Sequence, residues 1–554
     1  MPQTTIPLAG AYTQRPGIFL SSSVERDQRF INTLFDVVSD KFTQSANVYC
    51  VKRPGLLLYS TPAAGTFGSA VHRVSGGPAI VVSAFGATNS TIFYGTTDCG
   101  TITGVTYFIT EGYLSNELFY FITSTDNTGW YLADNAATDA TPTFTANTNT
   151  SAILTNVSSI TNVYVGQALS GVDIAAGSRV QSIDSATQIT MTLAATGTTV
   201  GVTVTFTRVA KILSANFPTS NSGQFVAIDG YVCIADDTNR RVYNSDLNSI
   251  ANWSTSSYFP FNQEADNPVS CAKHNNKLMV LGRNSYSFYE NVGNSIGSPF
   301  SVIKELTSRI GCYHTALKPL AQVGDSIYWF GAGQGYSRAA WSLSNFKAEK
   351  ISNSAVDRQL NNLLTVSLVS AFTVDGVEYM MISSDQTPRQ TYLISRQNQV
   401  CEAYFPASGT LVASGGLSTT ATADSQGVYC INLNSGLPEG EIYKLDSTTF
   451  RDDSTAFTMT IQTEPKALNG GKGFTVNAVT LLADNQSSGT TTLSTSADGT
   501  ITYVSKGSFT MTSNQKVVRR CGHYKDSCSF KLEHSANTAW RGQAIVVDWE
   551  PAVT

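Results

Sequence analysis

Short runs of alternating apolar and polar residues, each closed by a turn, recur along most of the chain. They are densest from 268 to 405. Residues 277–282 are followed by 285–290, 325–331 by 336–343, and 378–382 by 390–394. Each unit reads as polar turn, apolar strand, Gly or Asn turn, second strand. A two-residue period rich in aromatic and β-branched side chains predicts strands. Units of this kind repeated along a chain have the rhythm of β-propeller blades.

The rest of the chain divides around that rhythm. Residues 1–60 lack it. Pro7, Pro16 and Pro54 interrupt them, Val48 to Val51 predicts a first strand, and Arg53-Pro54-Gly55-Leu56 predicts a turn out of it. This part is expected to be an N-terminal arm laid over a core, with contact to a neighbouring subunit as the second reading. Residues 61–140 hold the strands of two blades, at 71–74, 79–82, 91–94, 118–122 and 130–133. Residues 141–208 change character: Thr, Ser and Ala dominate, charge nearly vanishes, and short strands at 163–166, 171–174, 179–184, 188–193 and 202–206 are joined by Gly turns. We read a small Ig-like β-sandwich inserted into one blade. Residues 209–450 resume the blades with a hairpin around Asp229-Gly230, a dipeptide suited to a tight two-residue turn.

Without the insert, residues 66–446 leave about 310 positions. At roughly 40–45 residues per blade that predicts about seven blades, or six if the ends are irregular. Residues 451–554 predict a C-terminal platform domain, a β-sandwich with strands at 457–461, 478–482, 491–494, 529–532 and 544–548. The expected class is all-β: a β-propeller with an inserted small β-sandwich and a C-terminal β-sandwich. One helical stretch stands out at 354–364, where Val356, Leu360, Leu363 and Leu364 recur at spacings of three and four.

Composition narrows the function. The 554 residues suffice for several cores. Net charge is −5, and the densest basic pair is Arg519-Arg520. Proteins that grip nucleic acid by neutralising phosphates are normally basic, so tight DNA binding is not expected. The nine cysteines, at 50, 99, 233, 271, 312, 401, 430, 521 and 528, are odd in number, far apart and mostly inside apolar strands. They read as buried free thiols made in a reducing compartment. Met1-Pro2-Gln3-Thr4-Thr5 lacks the blocks of a signal peptide. No apolar run approaches membrane-helix length, so no membrane anchor is expected.

Candidate chemistry is thin. Gly331-Ala332-Gly333-Gln334-Gly335 follows a strand, but no helix start follows it to present N–H groups to a phosphate, so it reads as a blade turn. Cys521, His523, Cys528 and His534 have metal-ligand types without a zinc spacing. Ser124 to Trp130 comes close to the Asp-box turn of sialidase propellers but has one residue too many before Gly129. Ser496-Ala497-Asp498-Gly499 has one too few. Asp229, Asp236, Asp237 and Asp246 form a loose acidic group read as solvated turns. Trp130, Trp253, Tyr258, Phe259 and Phe261 motivate the alternative function, a glycan-binding or glycan-cleaving propeller, if those rings are exposed rather than packed in a core. No catalytic, cofactor-binding or metal residue is nominated, no cofactor is expected, and the protein is read as a non-enzyme.

The order of features carries a resemblance. Met1-Pro2 with Ile6-Pro7-Leu8, Leu278 through Gly293, Ile310-Gly311-Cys312, Asp325 through Gly331, Ile351, the helix at 356–364 and Tyr392-Leu393-Ile394 together resemble the packaged-DNA stabilisation proteins of short-tailed phages, also called the tail hub or nozzle. The 141–208 module, with Gly166-Gln167, Gly171-Val172-Asp173-Ile174 and Ser182-Ile183-Asp184, resembles small modules that decorate many phage tail proteins. It departs from the simplest hub proteins. The likeness covers most of the chain outside that module and is only topological after 456. It implies a virion tail component assembled in the bacterial cytoplasm. The implied homo-oligomer is a hexameric ring below the portal adaptor, with a tail needle or plug and tailspikes or tail fibres as partners. Packaged double-stranded DNA would pass through without tight or sequence-specific binding.

Overall fold

The computed structural model describes residues 2–9, 29–39, 46–66, 68–74, 80–261, 264–294, 296–313, 319–332, 338–352, 357, 361, 368–374, 377–383, 391–395, 400–403, 411–412, 415–416, 429–432, 440–452, 455–498 and 502–552. Among these, seven sheets follow one plan: four antiparallel strands ordered from an inner to an outer edge. Five are built from consecutive strands, and the fourth is typical, with Pro268–His274, Lys277–Gly282, Tyr286–Asn291 and Phe300–Ser308. The first begins at Gly68–Arg73, the third at Asn221–Ile228, the fifth at Leu320–Val323 and the sixth at Leu368–Val374. They are the blades of a β-propeller. The expected helix at 354–364 falls mostly outside the described residues; Asp357 and Asn361 within it are helical.

Neighbouring blades pack face to face, and this explains the weak alternation of their second strands. Lys277–Gly282 is buried at every position after the first, because a strand covered on both faces reads as a continuous apolar run. Tyr120, Ile122 and Leu132 of the second blade meet Val82, Ala84 and Ile92 of the first. Met279 and Phe288 of the fourth meet Ile327 and Trp329 of the fifth. Tyr328 and Phe330 of the fifth meet Val369 and Met380 of the sixth.

Two blades depart from the plan. The second runs Thr106–Leu114, Glu117–Ser124 and Gly129–Ala133, and takes its outer strand, Val202–Lys211, from far downstream. The intervening residues fold around their own core of Phe144, Leu154, Val180, Ile189, Met191 and Val204. Val202–Lys211 serves both parts: its last residues pair with Gly129–Ala133, and its first pair with Thr143–Ala146 and Gln167–Gly171.

The seventh blade joins the two ends of the propeller. Leu411–Val412, Tyr429–Asn432 and Ile442–Asp446 supply its inner strands, and Gly55–Ser60 its outer one. Gly415 and Gly416 then pair with Val71 and His72 of the first blade. Val71, Val81 and Phe85 pack against Tyr429, Ile431 and Ile442, so the circle closes through both hydrogen bonds and core.

The first 60 residues are not laid over a finished core. Gln3–Pro7 and Ala46–Lys52 flank Arg541–Pro551 in one sheet of the C-terminal sandwich, and Thr33–Ser39 extends it. Arg29–Ile31 pairs with Met459–Gln462 in the other sheet. Ile6, Leu8, Phe30 and Phe35 share one core with Ile461, Phe474, Phe530 and Val547. Arg29–Ile31 also joins the outer strand of the sixth blade through Ile31 and Glu402, making one nine-stranded sheet from propeller to sandwich.

The chain crosses between the two parts at Arg53-Pro54. Arg53 donates to both oxygens of Asp452 at 2.9 and 2.6 Å, to Asn32 Oδ1 at 2.8 Å and to its own neighbour's carbonyl at Pro54. Its guanidinium lies 3.8 Å from the centre of the Phe457 ring. Both charged groups are buried, so either alone would be a desolvated charge. Next to this pair, burial and the Arg53 charge pull Lys52 down to about 8 against the opposing pull of Asp452. His534 lies beyond it, fully buried between Thr491 and Thr538.

Arg53→Ala is expected to cost about 3–5 kcal/mol in denaturant unfolding, because Asp452 is left buried and unpaired. The double change to Met at Arg53 and Leu at Asp452 should cost less than the single one. A second expectation concerns pH. Burial, then the Lys52 charge, pull His534 down to about 4, while its hydrogen bond to the Thr490 carbonyl opposes them. The unfolded chain then holds more protons between about pH 4 and 6.5, so acidification through that window favours unfolding. The wild type should lose about 2 kcal/mol more across it than His534→Gln does. Unfolding curves at several pH values measure the difference.

Candidate functional site

In an up-and-down blade, the turns after the first and third strands lie on one propeller face, and those after the second lie on the other. The second face is held together by side-chain and backbone hydrogen bonds that reach from one blade to the next. Gly104, entering the second blade, donates to Asn89 of the first at 3.3 Å. Asn221, entering the third, donates to the Asn127 carbonyl in the second. Asn267, entering the fourth, donates to the Asp237 carbonyl in the third at 2.5 Å, and Arg283 adds an ion pair to the same Asp237. The backbone N–H of Cys312, entering the fifth, donates to the Gly282 carbonyl in the fourth at 2.8 Å.

Carboxylates order these turns, buried at Asp236 and Asp266 and exposed at Asp126. Asp266 accepts from the backbone N–H groups of Asn267, Arg283, Asn284 and Ser285 at 2.8–3.1 Å and from the Ser285 hydroxyl at 2.9 Å. Gly282 is required beside it, since a Cβ there would stand 2.3 Å from the Asp266 carboxylate. Asp236 accepts from Ser220, Thr238 and Asn239 in the corresponding turn of the third blade. In the second blade Asp126 accepts from Ser124 at 2.5 Å, from Thr128 N and Oγ1 at 3.1 and 2.7 Å, and from Thr103 of the first blade. Burial pushes this carboxyl up, but those hydrogen bonds outweigh it and hold Asp126 below its usual range. The near Asp-box at 124–130 is therefore a capped hairpin turn, closed by Trp130 Nε1 donating to Thr128 Oγ1.

The residues singled out for chemistry do not converge. Asp236 and Asp237 belong to the laced face, Asp229 sits in a first turn on the opposite face, and Asp246 lies in the loop after the third strand. Cys521 and Cys528 are buried, with desolvation pushing them up to about 11 and about 12. His523 is exposed beside Thr475, and no group of three or more metal-ligating side chains occurs among the described residues. Gly331 ends a strand, where a Cβ would stand 1.9 Å from the Gly311 carbonyl, so a close approach of blades explains it. Residues 333–335 lie outside the described residues. Trp130, Trp253, Phe259 and Phe261 are core side chains, and Tyr258 packs under Arg241, which removes the exposed aromatic surface that a glycan reading rested on. Cys50, Cys99, Cys233, Cys271, Cys312, Cys521 and Cys528 are buried and form no disulfide with one another.

The residues that sequence reasoning missed are joints. The module at 141–208 is fixed to its blade by Tyr164 donating to Glu117, by Tyr131 donating to the Val165 carbonyl, and by Arg179, which lies 5.1 Å from the Trp130 ring. Asp134 at the module's entry accepts from Tyr94 and Tyr120, both at 2.8 Å. A single sequence offers no signal for these pairs, because their partners belong to other strands.

Comparison with known proteins places this architecture. A family model described as the β-propeller of bacteriophage P22 Gp10, a phage stabilisation protein, matches residues 147–386. The match takes in most of the 268–405 stretch. It begins inside the 141–208 module and does not reach Met1 to Leu8. No curated relative matches the chain. Among solved structures, a Trypanosoma rangeli sialidase aligns at 11% identity over 97% of this chain and 96% of its own, with a TM-score of 0.26. An exo-β-1,3-galactanase from Phanerochaete chrysosporium aligns at 10% identity over 79% and 95%, with a TM-score of 0.23. Scores this low carry no argument about activity. The propeller topology and the family match agree: residues 147–386 are similar to the β-propeller of the bacteriophage P22 Gp10 stabilisation protein.

Proposed function

We propose that this protein is a subunit of the hub or nozzle of a short-tailed phage tail. About six copies form a ring below the portal and its adaptor. The ring extends the DNA channel, helps a needle or plug retain the packaged genome, conducts it at ejection, and mounts tailspikes or fibres. The match to the P22 Gp10 propeller over 147–386 carries this reading. Its role is mechanical, with no catalytic, metal or cofactor step.

Four physical features support it. The blades are laced on one face, and the circle is closed by strands from both ends of the propeller, so the body resists shear. The module's stem is a strand shared with the second blade, which suits a fixed mounting surface. Six copies at −5 each carry −30, so the ring as a whole does not hold back DNA through phosphate contacts. Buried free thiols suit assembly in a reducing cytoplasm.

A closed ring with head-to-tail contacts is the symmetry such a position requires. Co-expression with the portal and adaptor, followed by native mass spectrometry and electron cryomicroscopy, should give about six copies on the adaptor's distal side. A protein that stays monomeric and never joins that complex would overturn the proposal.

A further inference from the structure

Charge in this chain is segregated. Residues 502–525 contain Lys506, Lys516, Arg519, Arg520 and Lys525 and no carboxylate, so the remainder of the chain carries −10 against the overall −5. The run forms two strands, Val504–Thr510 and Val517–Tyr524, each the last strand of one sandwich sheet. The two meet along one open edge. A Cβ on Gly507 would stand 3.3 Å from the Val518 side chain, and one on Gly522 would stand 3.4 Å from Lys506 Nζ. Lys516 is turned inward, donating to Asn485 at 2.6 Å and to the Ser513 carbonyl at 2.9 Å. The other four make no ion pair among the described residues. Arg519, Arg520 and Lys525 are exposed, and Lys506 leans half-buried across the edge.

The backbone is bent to present them. Against Phe474–Ala483, Val476 faces Gly522 while Ala478 faces Arg519, so Arg520 falls in a bulge. It holds φ at 62°, a left-handed conformation that is unfavourable for a non-glycine residue. In a regular strand, successive side chains point to opposite faces. The bulge is what leaves Arg519 and Arg520 both in solvent.

The surroundings distinguish the kind of anion. Ser505, Gly507, Ser508 and Thr510 are exposed along the neighbouring strand, with Val504 as its one exposed apolar side chain. Hydroxyls, open backbone and Arg or Lys are the groups that contact phosphate and sugar. A protein partner would ask for an apolar or aromatic centre to the patch. We propose that this edge contacts the phosphate backbone of duplex DNA, weakly and without sequence preference. The residues lie outside the matched range 147–386, and the proposal does not depend on ring formation, so the two readings fail separately.

Fluorescence anisotropy of a mixed-sequence duplex with the full-length protein tests it. Four phosphate contacts predict roughly a 100-fold loss of affinity between about 50 and 200 mM salt. Arg519→Gln with Arg520→Gln should weaken binding at the lower salt by about tenfold or more and flatten the salt dependence by about two contacts. Lys347→Gln, which removes a charge on the fifth blade's outer strand, should change neither. Three results would overturn the proposal. One is a folded wild type that binds no duplex at the lower salt. Another is poly-glutamate binding as tightly and with the same salt dependence, which would assign the edge to an acidic protein. The third is a double variant that keeps its DNA affinity but self-associates, which would make the cations guards against strand pairing.

Discussion

A guanidinium buried where the chain passes from sandwich to propeller is the constraint on which the two parts depend. Arg53 and Asp452 are 399 residues apart in sequence and meet at 2.6 Å. Arginine suits the position because its planar fork can engage both carboxylate oxygens and still donate to Asn32 and Pro54. Removing both charges from water is costly, and only full hydrogen bonding with good geometry offsets it. The pair therefore reports whether both crossings are in place. Just beyond it, Leu56 pairs with both Leu445 and Asp452, so the residue that closes the seventh blade also borders the return crossing. Closing the propeller and seating the sandwich share these contacts, which join distant parts of the sequence.

That coupling explains what the sequence disclosed and what it withheld. Blade strands were legible because each pairs with its neighbour across a short turn, as at Asp229-Gly230 and Asn275-Asn276, where positive φ is required. The module was legible because its core is local and its composition shifts at its borders. The first 60 residues were not, because their pairing partners lie hundreds of positions away. The pattern at Val48 to Val51 predicts a strand but cannot say that it belongs beside 541–551. The candidate chemistry was withheld for a related reason. Asp266 precedes an Asn-Pro pair and looks like any loop residue, yet four backbone donors converge on it because the fourth blade's turn folds back over it.

The module illustrates how a insertion can be stiff. A tether would give it freedom, but here the strand at 202–211 starts in the module's sheet and ends in the blade's, so no flexible linker separates them on that side. On the entry side, Asp134 takes hydrogen bonds from Tyr94 of the first blade and Tyr120 of the second, pinning the departure point to a blade joint. Burial, followed by those bonds to Asp134, pushes both phenols well above their ordinary range, so they stay protonated donors at any physiological pH.

The two propeller faces consequently have different chemistry left to offer. On the face of the second turns, Asp236 and Asp266 are taken up by hydrogen bonds from their own blades, Asp126 by donors of the first and second blades, and Asp237 is engaged by Asn267 and Arg283. On the other face, Leu247 is 58% exposed, Val292 50% and Ile296 89%, all in the loops that follow the third strands of neighbouring blades. The module leaves from the equivalent loop of the second blade. Rigidity is thus concentrated where the polar groups are consumed, while open apolar surface and the one large insertion share the opposite side. A substitution in the laced face, where each group serves two blades, acts on the whole ring of sheets, whereas one in the open loops changes only what that surface presents.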